Sequence, residues 1–160
     1  MGSINKVEEL EQEIADAGID LIDYPFKSKR LRGITFVSQN EKIIGISKQV
    51  TDLSERLTIL SEELSHIELN VGDVTSDISQ EKRARFRGYD RLVGFKGLVS
   101  AYKNGCQDLY EFADHLNVTY DYLIECLKAY QSRYELPQEY ENFIISFRPT
   151  LTIERIENYN

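Results

Sequence analysis

Cysteine and histidine are scarce in this sequence. The 160 residues contain two of each, and Cys106 and Cys126 are too few and too far apart for a disulfide framework or a zinc ribbon. This usage predicts two free thiols in a packed core and a reducing, cytoplasmic setting. No internal repeat or low-complexity segment is present, so we expect one globular domain, at most with a small appendage.

Long apolar runs and an excess of positive charge are also missing. No window approaches the ~20 consecutive apolar residues that span a bilayer, and the first residues lack the apolar stretch of a secretory signal. The formal net charge is −8, whereas general attraction to phosphate needs a positive potential. The helix-turn-helix-like segment 111–128 carries few cations as well. These observations argue against membrane and nucleic-acid partners.

The hydrophobic patterning that is present alternates between helix and strand periods. It predicts helices over 4–17 and 51–67, a short strand within 19–26, and a hairpin of strands 33–38 and 42–47. A long helix is expected over about 80–102, followed by two helices around 117–119. The segment FIISF in the acidic tail is either a strand or a packed extension. The predicted fold class is α+β: a small antiparallel sheet with one helix packed across it and additional C-terminal helices.

One helix carries residues suited to metal chemistry. Glu62 and His66 are one turn apart, so both can reach a single metal ion from the same helix face. Glu63 lies between them, where it can deprotonate a water molecule. This is the arrangement of the HExxH zinc-protease motif with glutamate at the first ligand position. A carboxylate binds zinc at about the same distance as an imidazole but makes Mn²⁺ easier to accommodate. The same pattern is also common on solvated helix faces.

A third metal ligand has to come from elsewhere in the chain. Glu81 opens the next predicted helix and is the best candidate by position, with Glu68 and Asp73 as alternatives. His115, the other histidine, is interpreted as a surface or packing residue. The basic residues from Lys82 to Arg91 are interpreted as a solvated helix face, although they could also attract an acidic partner segment.

Four segments, read together, resemble the ImmA/IrrE family of metallopeptidases, in the short form of prophages and conjugative elements of Gram-positive bacteria. They lie within residues 5–134 and are YPFKSKRLRGITF (24–36), ILSEELSHIELNVGDV (59–74), QEKRARFRGYDRLV (80–93) and GCQDLYEFADHLNVTYDYLIECLKAYQSRY (105–134). The second resembles the family's active-site helix, with Ser65 where the family usually has glycine. In the third, Glu81 and Ala84 match the Glu-x-x-Ala pattern that supplies a ligand.

The resemblance implies a zincin-like fold and a defined site. Glu62, His66 and Glu81 would bind Zn²⁺, or Mn²⁺ or another divalent metal, and Glu63 would act as general base. Family members cleave a helix-turn-helix repressor encoded beside them, so the implied function is that of a metal-dependent endopeptidase, a cytoplasmic hydrolase acting on a repressor of a prophage or mobile element. The alternative is an impaired family member that binds a regulator without cleavage.

The predicted domain spans residues 1–134, followed by an acidic extension over 135–160. In zinc peptidases of this design, the edge of the sheet can pair with an extended substrate through main-chain hydrogen bonds. We expect the strand Lys42–Ser47 to form that edge.

Overall fold

A computed structural model describes residues 5–69 and 78–157, which form two compact units, 1–88 and 89–160. Both units combine helices with one three-stranded sheet, so the α+β class is confirmed. The boundary predicted after residue 134 falls inside the second unit. None of the helices in the described ranges is long and apolar enough to cross a membrane.

The first unit begins with a capped helix and a small sheet. Its elements are α1 (Lys6–Asp16), β1 (Asp20–Tyr24), β2 (Gly33–Val37), β3 (Lys42–Ser47), α2 (Leu53–Leu69) and α3 (Ile78–Leu92), the last of which continues into the second unit. Asn5 and Glu8 form a capping box that starts α1, and Gly18, at φ +74°, follows its end. Asp52 caps α2 by accepting a 2.8 Å hydrogen bond from the Glu55 amide.

The sheet of the first unit corrects two sequence-based expectations. Its strand order is β1-β3-β2, with β1 parallel to β3 and β2 antiparallel to it, so the sheet is mixed rather than antiparallel. Lys42–Ser47 is therefore the central strand, and its assignment as the edge was wrong. The physical reason is burial: Ile44 to Ser47 are all buried, as expected for a strand that has a neighbouring strand on each side.

The helix α2 packs against β2, β3 and α1. Its apolar stripe contains Leu57, Leu60 and Leu64, which are buried like Ile44 and Ile46 of the central strand. Strand pairing places Gly33 and Thr35 of β2 on the same sheet face as Ile46 and Ile44, respectively. This is the face that α2 covers, because a Cβ placed on Gly33 would lie 2.6 Å from the Cγ2 of Ile59.

The second unit is a helical group followed by an antiparallel sheet. Its elements are α4 (Gly94–Lys103), α5 (Leu109–Leu116), α6 (Tyr120–Arg133), β4 (Gln138–Tyr140), β5 (Phe143–Ser146) and β6 (Thr152–Arg155), with strand order β4-β5-β6. The single helix predicted over 80–102 is interrupted at Val93, because Gly94 adopts a positive φ of 60°. The two helices around 117–119 are confirmed, with Asn117 left-handed and Thr119 capping α6.

Candidate functional site

The middle of α2 presents the three residues of the predicted motif. Glu62, Glu63 and His66 are all partly buried and lie between fully buried positions of the same helix. Ser65 has no exposed surface, and its Oγ donates a 2.7 Å hydrogen bond to the Ser61 carbonyl. This side chain is therefore accommodated inside the helix packing, with its hydroxyl bound to the preceding turn.

His66 and Glu81 come together from two helices. The Nε2 atom of His66 lies 3.5 Å from the Oε2 atom of Glu81, with 23% and 58% of the two side chains exposed. Two ligands of one tetrahedral zinc ion, each about 2.0–2.1 Å from the metal, would be about 3.4 Å apart. The observed separation therefore suits shared coordination, and it also suits an ion pair when the imidazole is protonated.

Glu62 lies within electrostatic range of both residues. Burial raises the pKa of its carboxyl, an effect that the nearby Arg85 guanidinium and His66 oppose and the carboxyls of Glu63 and Glu81 reinforce. The concentration of three carboxyls around one imidazole is unfavourable when all are ionised, and a divalent cation would relieve it. The chemistry of this set, imidazole nitrogen with carboxylate oxygens, fits zinc or manganese.

Glu63 is directed to the sheet. Its Oε2 atom accepts a 2.5 Å hydrogen bond from the hydroxyl of Thr35, which also lies 3.2 Å from the Glu63 carbonyl oxygen. Burial raises the pKa of the Glu63 carboxyl, and the Thr35 hydrogen bond opposes that rise. Gly33 leaves room for this contact, because a Cβ placed there would lie 3.1 Å from Oε1 of Glu63.

The other predicted ligands lie elsewhere. Glu68 forms an ion pair with Arg87, and Asp73 lies outside the described residues. Across 5–69 and 78–157, no group of three His, Cys, Asp or Glu side chains has a geometry ready to hold a metal ion. The structure thus brings two of the three predicted ligands, His66 and Glu81, to 3.5 Å from each other and places Glu62 within electrostatic range of both.

The second histidine and the cysteines belong to the second unit. His115 Nε2 lies 2.9 Å from the Ser100 hydroxyl, which fits its interpretation as a surface or packing residue. Both cysteines are free; Cys126 is fully buried as expected, whereas Cys106 is partly exposed and its thiol lies 3.6 Å from the Glu111 carbonyl. Burial strongly raises the pKa of the Cys126 thiol, which favours the neutral form in the core.

Thr35 and Gly33 were missed by sequence reasoning. The alternation of GITFV does place these two positions on one face of a strand, so the signal for a shared face was present. The residues of the strand alone, however, do not indicate which helix covers this face. Comparisons with protein-family models, curated proteins and solved structures gave no significant match.

Proposed function

We propose that this chain is a divalent-metal-dependent endopeptidase of the kind that the ImmA/IrrE resemblance implies. The observation that carries the proposal is the 3.5 Å approach of His66 Nε2 to Glu81 Oε2, near the partly buried carboxyl of Glu63. Spacing along α2 accounts for His66 and Glu63 on one helix, but only tertiary structure brings Glu81 to them. The pairing of His66 with this particular glutamate is what the resemblance requires.

The residues proposed to hold the metal are Glu62, His66 and Glu81, with zinc as the first expectation and manganese as the second. When bound, such an ion would polarise a peptide carbonyl and make a neighbouring water more acidic. Glu63 is suited to the proton transfers, because a carboxylate held within reach of water can take its proton and later deliver it to the leaving amine. Thr35 orients Glu63 by donating to one of its oxygens.

The edge strand β2 is the proposed substrate track. Its outer edge is unpaired within the sheet order β1-β3-β2, and Thr35 of this strand contacts Glu63 directly. An extended peptide that paired with β2 would pass the carboxyl proposed as general base, as in a zincin-like design. The proposed substrate is a helix-turn-helix repressor of a prophage or mobile element in the cytoplasm.

Metal analysis of the purified chain tests the site. The wild type, prepared without chelator and incubated with zinc or manganese, should retain about one ion per chain. His66→Ala and Glu81→Ala should lose it, whereas His115→Ala, which removes the only other histidine, should retain it. Equal metal content in His66→Ala and the wild type would show that the ligand assignment is wrong.

A cleavage assay tests the activity separately. The repressor encoded beside this chain, as purified protein, should be cut by metal-loaded wild type and not by Glu63→Gln, which should still retain metal. Metal retention with no cleavage of any purified repressor would leave the ligand assignment standing and refute the endopeptidase proposal for that substrate class.

A second candidate function is a protein-binding regulator that does not cleave. It is favoured by the finding that no three potential ligands in the described ranges are already arranged around one point. This function predicts a stoichiometric complex between the chain and a repressor, formed equally in the presence of chelator and by the Glu63→Gln variant. Size-exclusion chromatography with light scattering distinguishes it from turnover.

A further inference from the structure

The sheet of the first unit carries apolar side chains on the face that α2 does not cover. Strand register puts Ile22 of β1 and Ile34 of β2 on either side of Gly45, and Tyr24 and Phe36 lie on the same face. A Cβ placed on Gly45 would lie 3.1 Å from Ile34 and 3.6 Å from the ring of Phe26, so Phe26 also lies over this face. We call it the open face; its members are Ile22, Tyr24, Phe26, Ile34 and Phe36.

Four large apolar side chains of the open face are exposed to solvent. Exposed fractions are 43% for Ile22, 50% for Tyr24, 46% for Ile34 and 54% for Phe36. Given the size of such side chains, the exposed apolar area is on the order of 400 Å², a size at which patches on soluble proteins commonly mark an interaction site. A sheet that faces water normally alternates apolar residues with polar ones, whereas this sheet is apolar on both faces.

Positive charge is concentrated at one end of the open face. The connection from β1 to β2 contains the exposed residues Lys27, Lys29 and Arg30, and Lys48 follows the adjacent end of β3. No ion pair is found for these four side chains within the described residues, whereas the neighbouring Arg32 is engaged with Glu55 at 2.8 Å. The opposite end carries Asp20 and Glu41. This local excess of cations contrasts with a chain whose net charge is −8.

We propose that the open face docks an amphipathic helix of a protein partner, with an apolar stripe and acidic residues toward the Lys27–Arg30 end. A helix is the element that covers a bare sheet face in layered domains, and it would complete a helix–sheet–helix arrangement around β1, β3 and β2. Acidic residues on the partner would pair with the exposed cations Lys27, Lys29 and Arg30. The open face is opposite to Thr35 and Glu63, so this docking does not use the side chains proposed for the peptidase chemistry.

Peptide binding by the full chain tests the proposal. The probe is a fluorescein-labelled 18-residue helical peptide with a leucine and phenylalanine stripe flanked by glutamates, compared with the same peptide carrying lysines instead. Fluorescence anisotropy should show that the glutamate peptide binds at least about tenfold more tightly, with an affinity that falls as salt is raised. The double variant Ile34→Ser/Phe36→Ser should abolish binding.

Charge variants supply the matched control. The double variant Lys27→Glu/Lys29→Glu should weaken binding of the glutamate peptide at least about tenfold, whereas Lys96→Glu/Lys128→Glu, which makes the same change in net charge at exposed positions of the second unit, should not. Thermal unfolding checks that each variant is folded. Equal affinity for both peptides, or equal losses in both charge variants, would overturn the proposal.

Two other occupants give distinct results that also overturn it. Self-association in sedimentation equilibrium, lost in Ile34→Ser/Phe36→Ser, would identify a second copy as the occupant. Binding to phosphatidylserine vesicles with no binding of the glutamate peptide would identify a lipid surface instead.

Discussion

Replacing Thr35 by valine isolates the contact that ties the sheet to Glu63. Valine keeps the branched shape that suits a strand but puts a methyl group in place of the hydroxyl that donates to the Glu63 carboxylate at 2.5 Å. A hydrogen bond to a charged group contributes about 1.5–3 kcal/mol, so we expect the free energy of unfolding at neutral pH to fall by about 2 kcal/mol. For a chain of this size that loss lowers Tm by about 4–8 °C.

Urea unfolding followed by circular dichroism, with chelator present, measures this change. Thr35→Ser keeps the hydroxyl and should retain more of the stability than Thr35→Val. The effect of Thr35→Val should be largest at neutral pH and smaller in acid, where Glu63 is protonated and no longer a charged acceptor. In a chain that already carries Glu63→Leu, Thr35→Val should leave the free energy of unfolding almost unchanged. An unchanged cost in that background would refute the idea that this hydrogen bond holds Glu63.

Three further predictions concern stability alone. Gly33→Ala should destabilise the chain by about 1–3 kcal/mol, because the new Cβ would lie 2.6 Å from Ile59. Gly45→Ala should destabilise it less, because the nearest neighbour of its Cβ, Ile34, is half exposed and can move. The midpoints of urea unfolding compare the two variants. Burial raises the pKa of Glu62, so the folded state favours its protonated carboxyl. The contribution of this protonation to the free energy of unfolding is fully present below the ordinary pKa of 4.5. It is lost as the pH rises through the higher pKa of the folded state. In metal-free buffer, Glu62→Gln should therefore be more stable than wild type at pH 8 and lose that advantage in acid, and a pH-independent difference would contradict this reasoning. Asp52→Ala should lower the free energy of unfolding by about 1 kcal/mol, because the cap of α2 is lost. Asp52→Asn keeps a side-chain acceptor and should lower it less; thermal unfolding compares the two variants.

Local periodicity predicted much of the fold but not the pairing of its parts. The helical stripe of α2, the β2–β3 hairpin and the Thr119 cap all follow from residues close in sequence. The position of β3 depends on β1, which pairs with it from a distant point in the chain. Even so, the apolar run KIIGIS already favoured a central strand over an edge strand. The break before α4 depended on which glycine would take a positive φ, and Gly94 did so.

The candidate site divides in the same way. The spacing of Glu62, Glu63 and His66 on one helix is a local property and could be predicted from the sequence. The approach of Glu81 was expected from the family resemblance and from its position at the start of the next helix, and the structure brings it within 3.5 Å of His66. The contact of Thr35 with Glu63 could not be predicted, because the two residues are 28 positions apart and belong to elements whose packing is tertiary.

Strand β2 is shared by both proposals, and its alternation separates them. Thr35 and Gly33 point to α2, whereas Ile34 and Phe36 belong to the open face, because neighbouring residues of a strand lie on opposite sides of the sheet. Ile34→Ser/Phe36→Ser should therefore abolish binding of the glutamate peptide and leave metal content unchanged. Thr35→Val should weaken cleavage, whereas the glutamate peptide should still bind to this variant. If Ile34→Ser/Phe36→Ser also lowered the metal content, or if Thr35→Val also abolished peptide binding, the assignment of separate roles to the two sides of β2 would fail.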